Sequence, residues 1–280
     1  MSKAEKQLDK RYSVLMTVYK NDNPEWFTFA IESILNQTIK PDEFVIVQDG
    51  PVPETIEKII DKYVKDYDKL FVVYKFKENQ TLGPALHKGV ELCKNNFIAR
   101  MDSDDYCIPT RIEEEFKIFE SDPELSLVGS NVIEFEGTPE NHISNVVLPE
   151  TQDEIYNFSK KRCPFRHPSL LYKKDAVLKA GNYRKYYLCE DYDLYNRMLR
   201  TGSKCYNIQK PLTYMRVDKN FYKRRGGIKY LKSILKFKKE QLHVGYLTRW
   251  QYIRTATPHI IVCLMPNFLR DFVYRKMLRK

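Results

Sequence analysis

The first hundred residues alternate between two hydrophobic periods. Tyr12 to Val18 (YSVLMTV) is a continuous β-branched and apolar run, which predicts a buried strand. After a polar loop, Lys20-Asn21-Asp22-Asn23-Pro24, apolar residues recur at Phe27, Ala30, Ile31, Ile34 and Leu35, the spacing of one helical face. That helix is expected over Glu25 to Asn36, with Asn23 as its N-cap and Pro24 at its first position. The alternation then repeats: strand 44–47 ending in Gln48-Asp49-Gly50-Pro51, helix 54–67, strand 70–76, helix 83–95 and strand 96–101. Continuous apolar strands separated by amphipathic helices predict an α/β fold, a mostly parallel central sheet flanked by helices on both faces. Ligands of such sheets bind beyond the carboxyl ends of the strands.

Beyond residue 101 the pattern loosens. Thr110 and Glu113 have capping-box spacing at the start of a helix through Phe119. Leu125 to Phe135 reads as a strand, 136–149 as loop, Gln152 to Lys161 as helix and Ser169 to Tyr172 as strand. Asp175 to Ala180 is a short helix stopped by Gly181, and Cys189-Glu190-Asp191 opens another that reaches Arg200. Lys204 to Ile208 and Leu212 to Val217 read as two short strands. From Gly226 the chain turns helical, with Ile228, Leu231, Ile234 and Leu235 on one face and lysines on the others, and Ile260 to Leu278 again mixes apolar with basic residues. The expected division is a body, 1–218, and a helical basic extension, 219–280.

Composition sharpens that division. A hydrophobic content of 42% and an aromatic content of 13% over 280 residues provide for a packed core. The six cysteines form no CxxC pair, which argues for free thiols in a reducing compartment and against zinc or a disulfide framework. The segment before Arg11 has no signal-peptide pattern, and no apolar run is long enough to predict a transmembrane helix. The net charge of +10 is uneven: from Lys219 onward there are 16 Lys and Arg against two acids, leaving 31 basic and 35 acidic residues before it. A strongly basic end on a mildly acidic body points to an anionic surface as its partner. Basic amphipathic helices lie on anionic membranes; packing of their apolar faces on the body is the other reading. No nucleic-acid motif is present, so no nucleic-acid partner is expected.

The candidate chemistry begins at Phe97-Ile98-Ala99-Arg100-Met101-Asp102-Ser103-Asp104-Asp105, where an apolar run ends in three carboxylates. Unpaired carboxylates are not kept inside a core. Their oxygens suit a hard divalent cation, Mn²⁺ or Mg²⁺, that bridges to substrate phosphates; an acidic cap on the next helix is the alternative. Other strands deliver polar groups to the same edge, Thr17 and Tyr19 after the first and Asp49 after the second. The glycine cradles usual for NAD and ATP phosphates are absent. Glu190 and Asp191 either complement a helix dipole or belong to the same site.

Taken in order, SVLMTVYKNDNPEWFTFAIESILNQT, PDEFVIVQDGPV, LGPALHKGVELCKNNFIARMDSDDYCIPTRIE, RHPSLLY and CEDYDLYNRML resemble the family 2 glycosyltransferases of the GT-A fold, in the bacterial exopolysaccharide and lipopolysaccharide branch that includes amylovoran-type enzymes. The resemblance runs from Ser13 to about Leu199. It implies a Rossmann-like GT-A body and inverting, metal-dependent sugar transfer from a nucleotide-diphospho-sugar to an acceptor hydroxyl. It implies that Asp102 and Asp104 form the metal-binding DxD motif, with Asp102 also near the ribose. Asp49 then meets a nucleobase N–H, Thr17 and Tyr19 meet the nucleotide, Asp191 is the catalytic base, and Glu190 is its neighbour in the acceptor region. Arg100 and the Arg224-Arg225 pair are candidates to assist the diphosphate, with a salt bridge to a nearby acid as the other reading for Arg100. His167 either touches acceptor or diphosphate, or is a structural imidazole. Thr17-Val18-Tyr19-Lys20 departs from the PxYN of many relatives. Tyr246-Leu247-Thr248-Arg249-Trp250 lacks the glutamine of processive synthases, which implies one sugar per encounter.

The partners implied are a nucleotide sugar, a UDP-sugar first, and a glycan or lipid-linked glycan acceptor in synthesis of exopolysaccharide, capsule or lipopolysaccharide. The implied location is cytoplasmic, at the inner face of the cell membrane, with peripheral contact through residues 226–280. Two other functions compete. A sugar nucleotidyltransferase needs a glycine-rich basic phosphate loop near the first strand, which Lys20-Asn21-Asp22-Asn23 matches poorly. A non-catalytic subunit of an assembly complex is opposed by intact acids at both motifs.

Overall fold

Residues 8–217, 225–266 and 269–270 are described by the structure, a computed structural model. The first half runs β1 (Tyr12–Val18), α1 (Pro24–Leu35), β2 (Glu43–Gln48), α2 (Glu54–Asp66), β3 (Phe71–Lys75), α3 (Leu82–Leu92) and β4 (Phe97–Arg100). The second half runs β5 (Tyr106–Cys107), α4 (Arg111–Ser121), β6 (Leu125–Phe135), β7 (His142–Val146), α5 (Gln152–Ser159), β8 (Leu170–Lys173), α6 (Lys174–Lys179), α7 (Glu190–Arg200), β9 (Lys204–Arg216), α8 (Gly227–His243) and α9 (Arg249–Leu264). As the pattern predicts, Asn23 caps α1, its Oδ1 accepting from the N–H groups of Glu25 (2.9 Å) and Trp26 (3.1 Å).

One sheet has the strand order β3-β2-β1-β4-β8-β6-β9-β5, with β7 added on β6. Strands β1 to β4 are parallel, and β6 is parallel to β9. Strand β8 lies antiparallel between β4 and β6. The order reverses beside β1: β2 and β3 extend to one side and β4 to the other. That reversal opens a crevice at the carboxyl ends of β1 and β4. Alternation along β1 supplies both cores. Tyr12, Val14, Met16 and Val18 face α1, α2 and α4, while Leu15 faces α3 and α7.

Three readings change. Residues 136–149 are not all loop, because His142–Val146 pairs with β6 as a mostly exposed strand whose short apolar pattern is too weak to announce it. The two expected strands over 204–217 are one, β9, whose register against β6 shifts near Pro211, where proline lacks a ladder donor. Thr110 makes no capping bond: Glu113 accepts from the Thr38 hydroxyl at 3.0 Å and pairs with Lys117, so the carboxylate is drawn off the helix end.

Helix α4 locks the end of β4. Arg111, fully buried, donates to the carbonyl oxygens of Arg100 (3.1 Å) and Leu170 (2.9 Å) and pairs with buried Glu115 at 3.1 Å. Burial nevertheless raises the Glu115 pKa to about 7, so desolvation outweighs the pull of Arg111. Glu115→Ala alone is expected to cost about 3–5 kcal/mol in urea unfolding, because it strands a buried guanidinium. The double variant Arg111→Met/Glu115→Leu should recover much of that loss.

Helix α8 lays Tyr230, Ile234 and Phe237 against Tyr186, Cys189 and Tyr192, with the Tyr192 and Phe237 rings 4.5 Å apart. The packing reading therefore holds for Leu231 and Ile234 of the expected face, whereas Ile228 is 63% exposed at the start of α8. Residues 218–224, where the expected body and extension meet, lie outside the described residues, as do Arg224 and most of the segment beyond 266. Among the described residues no helix is long and apolar enough to cross a membrane.

Candidate functional site

The site grows from β4. Because β8 runs antiparallel beside it, Arg100 lies opposite Leu170, and the turn just before Leu170 brings His167 under the Arg100 side chain. Fully buried Arg100 donates from Nε to His167 Nε2 at 3.2 Å and from its other nitrogens to the Met101 carbonyl and to Asp102 Oδ1. Of the two readings of Arg100, the salt bridge is the one seen. Since Nε2 accepts from Arg100, His167 is the neutral tautomer protonated at Nδ1; burial and the Arg100 charge hold its pKa well below the usual imidazole value. The Tyr183 hydroxyl lies 3.0 Å from the same nitrogen. His167 thus sits beneath the first acid of the motif, acting on Asp102 through Arg100.

One polar residue of the loop after β1 joins the site here. Asp22, after β1, accepts at Oδ2 from the Tyr19 N–H (3.0 Å) and from the Ser103 hydroxyl (2.9 Å), tying the β1 loop to the loop after β4. Its pKa is pushed up to about 7, mainly by burial and further by the charges of Asp104 and Asp102. The signal that could have found it was topological: β1 and β4 flank the switch point, so both their loops face one crevice. Asp105 is buried and accepts the Arg216 N–H at 2.6 Å, while Arg216 Nε donates to the Asp104 carbonyl at 2.9 Å. The Arg216 guanidinium lies over Trp26 and Phe135. Asp105 and Arg216 therefore hold the loop, leaving Asp102 and Asp104 as its more accessible acids.

The charges of Asp102 and Asp104 raise the proton affinity of Asp22 beside them, the mark of a place where a cation is favoured. Among the described residues no three His, Cys, Asp or Glu side chains already stand in metal-binding geometry. A hard cation needs only one or two carboxylates when waters and substrate phosphates complete its shell, so Asp102 and Asp104 fit one by chemistry.

Asp49, at the end of β2, is clasped from the loop after β3. Its carboxylate accepts from Asn79 Nδ2 (2.9 Å) and the Gln80 N–H (2.6 Å), and burial raises its pKa. Gly50, at φ +85°, lets that loop close in, since a Cβ there would lie 2.7 Å from the Asn79 nitrogen. Thr17 is half-buried in β1 beside Val47, and Tyr19 is exposed just beyond the strand.

Glu190 and Asp191 open α7. Asp191 Oδ1 accepts the Tyr192 N–H at 2.6 Å. Burial raises both pKa values, Glu190 to about 8 with a further push from Asp191. The Asp102 charge raises both as well, so the two acid motifs lie within electrostatic reach. Arg225 and Arg166 pull Asp191 back toward ionisation. The loop ahead of α7 is pressed on α3, where a Cβ on Gly83 would stand 2.2 Å from the Arg184 carbonyl oxygen and 3.4 Å from Glu190 Cβ. Gly83→Ala should shift that loop and lower turnover about tenfold or more while leaving nucleotide-induced thermal stabilisation unchanged.

Comparison with known proteins bears on the family and the fold. Residues 13–186 match the model of glycosyl transferase family 2. The amylovoran biosynthesis glycosyltransferase AmsE of Erwinia amylovora is 33% identical over 270 residues, covering 95% of this chain and 98% of its own. An Escherichia coli UDP-Gal:alpha-D-GlcNAc-diphosphoundecaprenol beta-1,3-galactosyltransferase is 33% identical over 275 residues, covering 96% of this chain and 97% of its own. In fold, the chain resembles S. aureus TarS 1-349 in complex with UDP-GlcNAc, with a TM-score of 0.65 and 15% identity over 89% of this chain and 71% of that one. It also resembles the Pyrobaculum calidifontis mannosyltransferase PcManGT in complex with GDP-Man and Mn²⁺, with a TM-score of 0.60 and 12% identity over 94% of this chain and 79% of that one.

Proposed function

The chain belongs to glycosyl transferase family 2, and from that premise we propose that it transfers one sugar per encounter, with inversion, from a UDP-sugar to a lipid-linked glycan hydroxyl in surface polysaccharide synthesis. The observation that supports this most is that two acid motifs from separate elements lie within electrostatic reach of each other, Asp102-Ser103-Asp104 after β4 and Glu190-Asp191 at α7. One can serve the donor and the other the acceptor.

Asp191 takes the proton of the acceptor hydroxyl as its oxygen bonds to the anomeric carbon, and the bond from that carbon to the diphosphate oxygen breaks. Burial raises the basicity of Asp191, while the charges of Arg225 and Arg166 draw it back toward ionisation. Glu190 borders the acceptor. Asp102 and Asp104 would hold a divalent cation, Mn²⁺ or Mg²⁺, which neutralises charge on the departing nucleoside diphosphate. Arg100, charged and buried, orients Asp102, and His167 holds Arg100. Asp49, pinned by Asn79 and Gln80, meets the uracil N3–H, with Thr17 and Tyr19 lining the nucleotide.

A direct displacement with a single base inverts the anomeric carbon. The stretch Tyr246 to Trp250 lacks the glutamine of processive synthases, which supports single addition, and its Thr248 instead forms a capping box with Gln251 at the start of α9. The relative named for transfer to GlcNAc-diphosphoundecaprenol supports a lipid-linked acceptor, and hence work at the cytoplasmic membrane face.

The donor class is tested by thermal shift with nucleoside diphosphates, with and without Mn²⁺. UDP with Mn²⁺ should stabilise the protein by about 2.7 kcal/mol at a hundredfold excess over Kd, and far less without the metal. A shift with another nucleotide alone would reassign the base, and metal-independent shifts would remove the cation from the reading.

A further inference from the structure

Helix α9 is apolar on two sides. Ala256 and Cys263 are buried inward, with Cys263 in the cluster formed by α8 and the start of α7. A second side, about a third of a turn around the helix, carries Trp250 (70% exposed), Ile253 (53%), Ile261 (57%) and Leu264 (60%). With Thr257 between them, these positions step by three, four, four and three residues, the spacing of a single stripe. Over 14 residue steps it is roughly 21 Å long. Four large apolar side chains held this far out on one face of a capped helix are not explained by the packing of the body.

We propose that this face of α9 docks on the surface of an anionic lipid bilayer. Charge selects the occupant. Between residues 225 and 266 there are eight Lys and Arg against one acid, Glu240. Glu240 is already engaged by Arg184 and the Tyr186 hydroxyl, each at 2.6 Å. Arg249 and Arg254 flank the stripe, and Lys229, Lys232, Lys236 and Lys239 are exposed on α8. Each cation near an anionic leaflet contributes about 1 kcal/mol, and Trp250 has the amphipathic ring suited to the headgroup level. A second copy of the chain would bring the same positive charges together over a stripe one helix wide, well short of the roughly 800 Å² per partner of a standard interface. The docking element is thus α9, whereas α8 packs Tyr230, Ile234 and Phe237 on the body and contributes lysines. The proposal deepens, and in its functional consequence rests on, the lipid-linked acceptor reading.

Flotation of the full chain with vesicles tests it without turnover. Vesicles of phosphatidylethanolamine with phosphatidylglycerol should bind the protein, and vesicles of phosphatidylcholine should not. Replacing Trp250, Ile261 and Leu264 together by Ser should weaken vesicle binding about tenfold or more, with unchanged melting temperature and unchanged UDP-induced stabilisation. In a Trp26→Phe background, emission of Trp250 should shift to the blue on adding anionic vesicles. Equal vesicle binding by the triple variant would overturn the proposal. So would a concentration-dependent dimer that the variant abolishes, which would assign the face to a second copy. Blue emission without vesicles would also overturn it, by showing that the chain itself covers Trp250. If flotation behaves as expected and no sugar transfer is found, docking stands and the functional reading falls. If transfer to a water-soluble acceptor persists with no vesicle binding, docking alone falls.

Discussion

Asp191→Asn is expected to lower sugar transfer by about 10²–10⁴-fold while UDP binding with Mn²⁺ stays near that of the parent protein. The size follows from the chemistry. An acceptor hydroxyl is a poor nucleophile, and the carboxylate in reach must remove its proton during attack. Asn keeps the shape, and its side-chain oxygen can still accept the Tyr192 N–H that Asp191 accepts at 2.6 Å. The substitution therefore removes basicity with little structural change. It also removes a half-buried carboxylate from beside Glu190, whose pKa of about 8 owes part of its rise to Asp191. Melting temperature should accordingly hold or rise. Single-turnover rates and UDP-induced thermal shifts, measured side by side, check both halves. Full transfer by the variant would move the base elsewhere.

Asp104→Ala has a different signature. It should lower transfer by about 10³-fold or more, since cation stabilisation of the leaving diphosphate contributes several kcal/mol. Here the Mn²⁺-dependent part of the UDP thermal shift should disappear, leaving only what UDP achieves without metal. The backbone is well protected from the change: the Asp104 carbonyl is held by Arg216 Nε, and Asp105 by the Arg216 N–H. Ser103 remains tied to Asp22. Loss of metal-linked binding with an intact melting curve separates this variant from Asp191→Asn, which keeps binding and loses chemistry. A Mn²⁺-dependent shift that survives Asp104→Ala would contradict the ligand assignment.

Much of the fold could be read from hydrophobic period alone. The parallel half was legible because β1, β2 and β4 are apolar runs buried on both faces, β3 is an apolar, half-buried edge run, and each helix has one apolar stripe. Strands β5 and β7 escaped because two residues in one case, and a mostly exposed run in the other, leave too little pattern to read. The acids of both motifs stood out because clustered carboxylates conflict with the core around them. Asp22 did not, since one acid in the polar run Lys20 to Pro24 looks like any loop residue until β1 and β4 are known to be neighbours. The arrangement of Arg100 and His167 was equally hidden, because it depends on β8 pairing antiparallel with β4. Arg216 is 111 residues from the Asp105 carboxylate that it meets, a contact that no local spacing reveals.

The central claim is the bond that breaks, and identifying the nucleotide product tests it most directly. Purified protein, Mn²⁺, a panel of UDP-sugars and a polyprenyl-diphosphate-linked sugar acceptor would be incubated, and the released nucleotide and the acceptor mass measured together. UDP should appear only when acceptor is present, in step with a gain of one sugar on the acceptor, and Asp191→Asn should remove both. Release of UMP, which marks transfer of a sugar phosphate, or of pyrophosphate from UTP and a sugar phosphate, which marks nucleotidyl transfer, would contradict it.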